Sequence, residues 1–229
     1  MKNEYLEARK HTQDALAKLK IEHHMFHEPS TDSYWDQDIK LLVINLESIG
    51  YKDCGHFNVD RKELSSWMYH PEHPTCRNTV AASKVLLDGF YKRKEPTRQA
   101  LHDSYYNKSG LEKTLDRICY YNIRPVSNDK ISEDWSRGDS DFRGDIAECI
   151  KQEIIALDAD IIMVSGRQAT DAISKLLCPD NPLPYLEERM FGSCKIISVR
   201  HFSRPSYTPL SESLCKAVHH LIKNKTLNN

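Results

Sequence analysis

No stretch of this sequence stays apolar for anything near the ~18 residues that a membrane span needs. The opening Met-Lys-Asn-Glu-Tyr has no apolar segment behind it of the kind that marks a secretory leader, so a cytoplasmic protein is expected. There is no C-x-x-C pair among the seven cysteines, Cys54, Cys76, Cys119, Cys149, Cys178, Cys194 and Cys215. Their scatter and odd number argue against a disulfide framework and against a four-cysteine metal site, and favour reduced thiols. Neither sign of charge dominates: the net charge is -1 and the pI about 6.8. A broad non-specific polyanion surface is therefore not expected, although a small cleft with a few placed cations remains open. The chain also lacks internal repeats, low-complexity tracts and an evident domain boundary. Its 229 residues suit one domain, 1–229, with an N-terminal helix over about residues 2–20 packed on it.

What is present is an alternation of strands and helices. Hydrophobic content of 39% and charged content of 28% fit a folded, somewhat polar protein. The first helix carries Leu6, Ala8, Ala15, Leu16 and Leu19 as its apolar stripe. Apolar runs near Ile39–Leu46, Ile118–Ile123, Ile161–Val164 and Lys195–Val199 read as buried strands. Between them, helical spacing marks about Asn78–Tyr91, Asp145–Leu157 and Gln168–Leu177, with a last helix over about Leu210–Lys223. Residues 92–115 allow a further helix, 51–76 read as a long irregular connection, and Pro179, Pro182 and Pro184 mark a loop. The order predicts an α/β fold: a three-layer α/β/α sandwich around a central, mainly parallel four-stranded sheet.

Polar groups close three of the four strands: Glu47-Ser48 the first, Asn122 the second and Arg200-His201 the fourth. Parallel strands bring these ends to one edge, where open α/β sheets hold their ligands. A carboxylate, a carboxamide and an imidazole would thus converge on one cleft. Each also has a plain structural reading: an asparagine at a strand end forms turns, and a histidine there is often simply packed. Glu22-His23-His24 with His27, and His70, His73 and Cys76, resemble metal ligands only in composition, so no metal is expected. Lys92-Arg93-Lys94 reads as a solvated face, and Gly166-Arg167-Gln168 at a helix start could hold a phosphate.

Four segments in order carry a more specific likeness. They are Leu46-Glu47-Ser48-Ile49-Gly50, Tyr121-Asn122-Ile123-Arg124-Pro125, Asp160 through Gly166 to Ala169, and Val199-Arg200-His201-Phe202-Ser203-Arg204. Over roughly residues 39–222 their order and spacing resemble the uracil-DNA glycosylase superfamily. The first stands where that family has Gly-Glu-Ala-Pro-Gly, and the last where it has a strand followed by His-Pro-Ser. Ile49 and Phe202 depart from the family's prolines. There is no N-terminal C-x-x-C and no cysteine directly before Arg124-Pro125, so the iron–sulfur cluster that some members carry is not expected, and no cofactor is.

The resemblance implies a monofunctional DNA glycosylase that flips a nucleotide from duplex DNA and hydrolyses its N-glycosidic bond to leave an abasic site. It implies that Glu47 supplies negative charge beside the sugar and positions water, that His201 stabilises charge growing on the base, and that Asn122 reads the base edge. Leu46, Ser48, Gly50, Tyr51 and Phe57 would contact the base, with Trp67 and His56 as other aromatic candidates for its lid. Arg124, Arg200, Ser203, Arg204 and Ser206 would hold DNA, Arg204 as a wedge or a phosphate contact. Gly50, where strict uracil enzymes place a bulky aromatic, would tolerate a 5-substituent. The expected substrate is then a modified pyrimidine, such as the hypermodified cytosines of phage DNA in an antiviral role, or uracil. A catalytically inactive binding module and a nucleoside N-glycosidase are the alternatives. A monomer is expected.

Overall fold

A computed structural model describes residues 2–18, 25–27, 32–46, 57–59, 65–66, 74–107, 110–123, 145–203 and 206–226. Helix α1 (Lys2–Lys18) comes first, then strand β1 (Met25–His27), strand β2 (Leu41–Asn45) and strand β3 (Phe57–Val59). Helices α2 (Pro74–Lys92), α3 (Arg98–Tyr106) and α4 (Leu111–Leu115) lead to β4 (Ile118–Asn122). Then follow α5 (Asp145–Ala156), β5 (Ile161–Ser165), α6 (Arg167–Leu177), β6 (Glu188–Phe191), β7 (Cys194–Val199) and α7 (Tyr207–Thr226).

The fold is α/β, with a central sheet of strand order β4-β2-β5-β7-β6 and a separate parallel pair, β1 and β3. Every residue of β2, β4 and β5 is buried. Such strands read as unbroken apolar runs because both faces of the sheet are covered. Leu41, Val43, Met163 and Ile197 pack against α2, α4 and α7, whereas Leu42, Ile44, Val164 and Ile196 pack against α1, α5 and α6. These are the three layers of an α/β/α sandwich. Among the described residues no helix is long and apolar enough to cross a membrane.

The sheet has five strands where the sequence predicts four. The additional one, β6, is an antiparallel edge strand joined to β7 by the two-residue turn Gly192-Ser193, with Phe191 opposite Cys194. It escapes a hydrophobicity reading because Glu188–Phe191 stays partly exposed and Met190 is 48% exposed. The turn needs the positive φ of Gly192, +58°, which a two-residue hairpin loop requires. Residues 51–76 are likewise not wholly irregular, because β3 lies within them and α2 begins at Pro74. The segment 92–115 forms two helices, α3 and α4; Thr97 caps α3 by accepting from the Ala100 N–H.

The buried face of α1 also differs from the expected stripe. Leu6 is 46% exposed, while Tyr5, Arg9, Thr12 and Leu16 are buried. These four follow helical spacing, and a polar cluster explains why Arg9 is among them. Its guanidinium donates to the Tyr5 hydroxyl at 2.8 Å, beside Glu153 of α5, which accepts from the Tyr121 hydroxyl at 2.9 Å. A buried arginine is tolerated only with such partners.

Candidate functional site

Register lines up the carboxyl ends of the parallel strands. Asn45 of β2 stands opposite Asn122 of β4, and Ile44 opposite Val164 of β5, which puts Ser165 next in the same row. Ser165 in turn stands opposite Val199 of β7. Side chains of a strand alternate between faces, so Asn122, Asn45, Ser165 and Val199 share the face that packs on α2 and α7. The preceding row on that face is Tyr120, Val43, Met163 and Ile197. The apolar core thus ends in three buried polar side chains: Asn45 is 3% exposed, Asn122 5% and Ser165 1%.

Connections locate the crevice. From β2 the chain passes through α2, α3 and α4 to β4 on one side; from β5 it passes through α6 toward β7 on the other. Neighbouring strands whose connections leave in opposite directions open a crevice at their carboxyl ends, where ligands of open sheets bind. Here that crevice lies between Leu46 and the Ser165-Gly166 turn. Leu46 is half-buried, and the next residue is Glu47.

The loop after β7 is held at both of its backbone groups. The Phe202 N–H donates to the Ser165 hydroxyl at 3.3 Å, and the Phe202 carbonyl accepts from the Asn78 carboxamide of α2 at 2.6 Å. The Phe202 ring is fully buried in the core shared with α2 and α7. Burial and two hydrogen bonds thus immobilise the loop at Phe202.

His201 lies directly before this anchor. The Ser203 N–H donates to His201 Nδ1 at 3.2 Å, so Nδ1 carries the lone pair and the neutral ring carries its proton on Nε2. The Ser203 hydroxyl, 2.7 Å from the same nitrogen, then donates as well. The residue is open to solvent, yet part of the ring packs on the Gly166 turn. Partial dehydration lowers its pKa below the ordinary histidine value.

Gly166 fixes how closely the ring sits. Its φ is +90°, and a Cβ there would lie 3.3 Å from His201 Cδ2 and 3.4 Å from His201 Cβ. Gly166→Ala is therefore expected to strain the turn by about 1–3 kcal/mol, lowering Tm by about 2–12 °C. The displaced imidazole should cost ~10-fold or more in turnover on whatever substrate the crevice serves. Differential scanning fluorimetry beside initial rates checks both numbers. The phosphate reading of Gly166-Arg167-Gln168 gains no support here, because Arg167 instead lies over the Tyr185 ring at 4.6 Å.

The remaining expected residues distribute as follows. Arg200 and Ser203 are exposed and Ser206 half-buried; Arg200 and Ser206 line a small cleft with Leu210, Glu212 and Lys216. Glu47, Ser48, Gly50, Tyr51, Arg124 and Arg204 lie outside the described residues, as do His56, Trp67, His70 and His73, and of Phe57 only the backbone is described, in β3. Cys76 packs in the core, where burial pushes its thiol up to about 12, so it is no metal ligand as placed. The six described cysteines form no disulfide with one another, and four of them, Cys76, Cys119, Cys178 and Cys194, are buried.

Two site elements were missed by sequence reading. Asn45 lay inside what read as an apolar run, and Ser165 read as a turn residue. Both Nδ2 and Oδ1 of Asn45 lack a hydrogen-bond partner among the described residues, as do Asn78 Oδ1 and Thr79 Oγ1 of α2. Comparing Ile44-Asn45 with Tyr121-Asn122, two apolar runs each closed by asparagine, was the available signal. The chain matches no protein-family model, and a comparison with curated proteins finds no relative.

Proposed function

We propose that the protein is a monofunctional DNA glycosylase, a hydrolase acting at the crevice between the ends of β2 and β5. The observation that carries this reading is His201, whose neutral ring carries its proton on Nε2 just beyond β7, at the same carboxyl edge of the sheet where Asn45 and Asn122 end β2 and β4. Cleaving an N-glycosidic bond sends the bonding electron pair onto the departing base and leaves cationic character on the sugar. The base then needs a hydrogen-bond donor that does not first have to lose charge, which the Nε2–H provides. Glu47 balances the sugar and accepts the proton of the water that adds to C1′. The departing base anion takes its proton from solvent, so the products are the free base and an abasic deoxyribose.

The DNA would approach the edge bearing Arg200, Ser203 and Ser206, with Arg204 next to Ser203 in the sequence, where a few cations suffice for phosphate contacts. The groove between α1 and α5 is the opposite in character, lined by Glu4, Glu7, Asp14, Asp145 and Glu148, and repels a polyanion. The resemblance sets Gly50, which has no side chain, where strict uracil enzymes place a bulky aromatic; a substituent at C5 would be tolerated there, which supports a modified cytosine of phage DNA over uracil as substrate and an antiviral role.

Incubation with duplexes carrying uracil, 5-hydroxymethylcytosine or glucosylated hydroxymethylcytosine, followed by alkaline cleavage, tests the reading. Strand breaks at a modified cytosine are expected. Breaks at uracil alone would remove the modified-base claim, and release from free nucleosides but not DNA would favour a nucleoside hydrolase.

The pH profile follows from the lowered His201 pKa. Folding lowers it, so as pH falls the unfolded chain takes up this proton first. The group's contribution to stability is therefore complete above its unfolded value of about 6.5 and is lost as pH falls from there through the folded value. Base release is expected to be flat above that range and to decline below it as the ring becomes charged. A rate profile between about pH 4.5 and about 8 checks this; in His201→Gln the acid limb attributable to this group should vanish.

A further inference from the structure

We infer that Asn45 is a second base-reading carboxamide, acting beside Asn122, and that the two form the floor of the pocket for a ring with adjacent hydrogen-bond donor and acceptor on one edge. The inference rests on the glycosylase reading for the identity of its ligand, but its geometry stands apart from it. Asn45 and Asn122 occupy the same register position on neighbouring parallel strands and the same face of the sheet. Their strands are about 4.8 Å apart, so the two side chains are lateral neighbours. Asn45 is 3% exposed, and neither Nδ2 nor Oδ1 has a partner among the described residues.

A carboxamide left this way is unusual, since buried polar groups are almost always hydrogen-bonded. It sits at the ligand-binding edge of the sheet, one residue before Leu46 and two before Glu47. Across from the sheet face, α2 adds two more open valences, Asn78 Oδ1 and Thr79 Oγ1, on side chains 6% and 0% exposed. Asn78 is at the same time fixed by its bond to the Phe202 carbonyl, so its oxygen is presented by a rigid group. A carboxamide offers one donor and one acceptor side by side, the complement of a lactam or amidine edge. Pyrimidines carry that pattern on their Watson–Crick edge, and sites that read a flipped base use that edge.

The test uses the full chain. Side-chain amide signals of Asn45, assigned by their loss in Asn45→Leu, are followed by NMR while free uracil or cytosine is titrated to millimolar concentration, and base release from duplex DNA is measured in parallel. The inference expects the Asn45 signals to move with base. It further expects Asn45→Leu to keep or raise Tm, because an unpartnered amide is removed, while kcat/KM falls about 10- to 100-fold. Base that binds or is released without moving the Asn45 signals overturns the inference and leaves the glycosylase reading intact. Movement of those signals with no base released from any DNA keeps the inference and overturns that reading. An Asn45→Leu protein that is clearly less stable, with the folded fraction fully active, shows Asn45 to be held by structural water and also overturns it.

Discussion

Glu47→Gln is expected to slow base release about 10³-fold while DNA binding changes little. The substitution keeps the size and hydrogen-bonding reach of the side chain and removes only its charge and its ability to accept a proton. Both losses fall on the transition state. As the glycosidic bond breaks, the sugar gains positive charge that a neutral carboxamide no longer balances. The attacking water also loses the group that takes its proton. In the ground state neither demand exists, so binding is preserved, and the loss should appear in kcat rather than KM. Single-turnover base release beside a gel-shift titration separates the two. The expectation follows from where β2 stops: the strand ends at Asn45, at the carboxyl edge of the sheet, two residues before Glu47.

Phe202→Ala is expected to destabilise the fold by about 3–5 kcal/mol, and to lower Tm by about 10 °C or more. The ring is fully buried in the core formed with α2 and α7, so its removal leaves a cavity that surrounding helices cannot fill without breaking their own contacts. A second effect follows from its backbone. The Phe202 N–H and carbonyl are tied to Ser165 and Asn78, and His201 directly precedes them. When the ring no longer holds the loop, those bonds lose their support and the imidazole loses its position. Residual activity per folded molecule should therefore fall as well, about 10-fold or more. Phe202→Leu, which retains most of the buried volume, should recover most of both losses. Urea unfolding curves for the two variants, with rates corrected for the folded fraction, check the pairing of stability with turnover.

The parallel core was legible in the sequence because its strands are buried on both faces. Runs such as Leu41-Leu42-Val43-Ile44 and Ile161-Ile162-Met163-Val164 have no reason to alternate, and no other environment asks for them. Helices α2, α5, α6 and α7 were equally plain from spacing, although α2 and α7 extend past their expected ends, whereas α3 and α4 were read only as one possible helix within 92–115. Edge strand β6 was not legible, since only one side of it is paired and its side chains remain partly exposed. Nor was the docking of α1: apolar periodicity cannot announce a face built on Arg9 and Tyr5, whose burial depends on Glu153 and Tyr121 more than a hundred residues away. At the site, Asn122 and His201 stood out because each follows an apolar run. Asn45 did not, because it closes its run just before Leu46 renews it. Its meaning comes only from register, which sets it beside Asn122.

A glycosylase adds water at the sugar carbon that bore the base. Reaction of the substrate duplex in ¹⁸O-labelled water, with both products weighed by mass spectrometry, measures this directly. The prediction is an intact free base carrying no label, and an abasic deoxyribose with one ¹⁸O at C1′. Label in the released base, or a base modified while still attached to its strand, would contradict it.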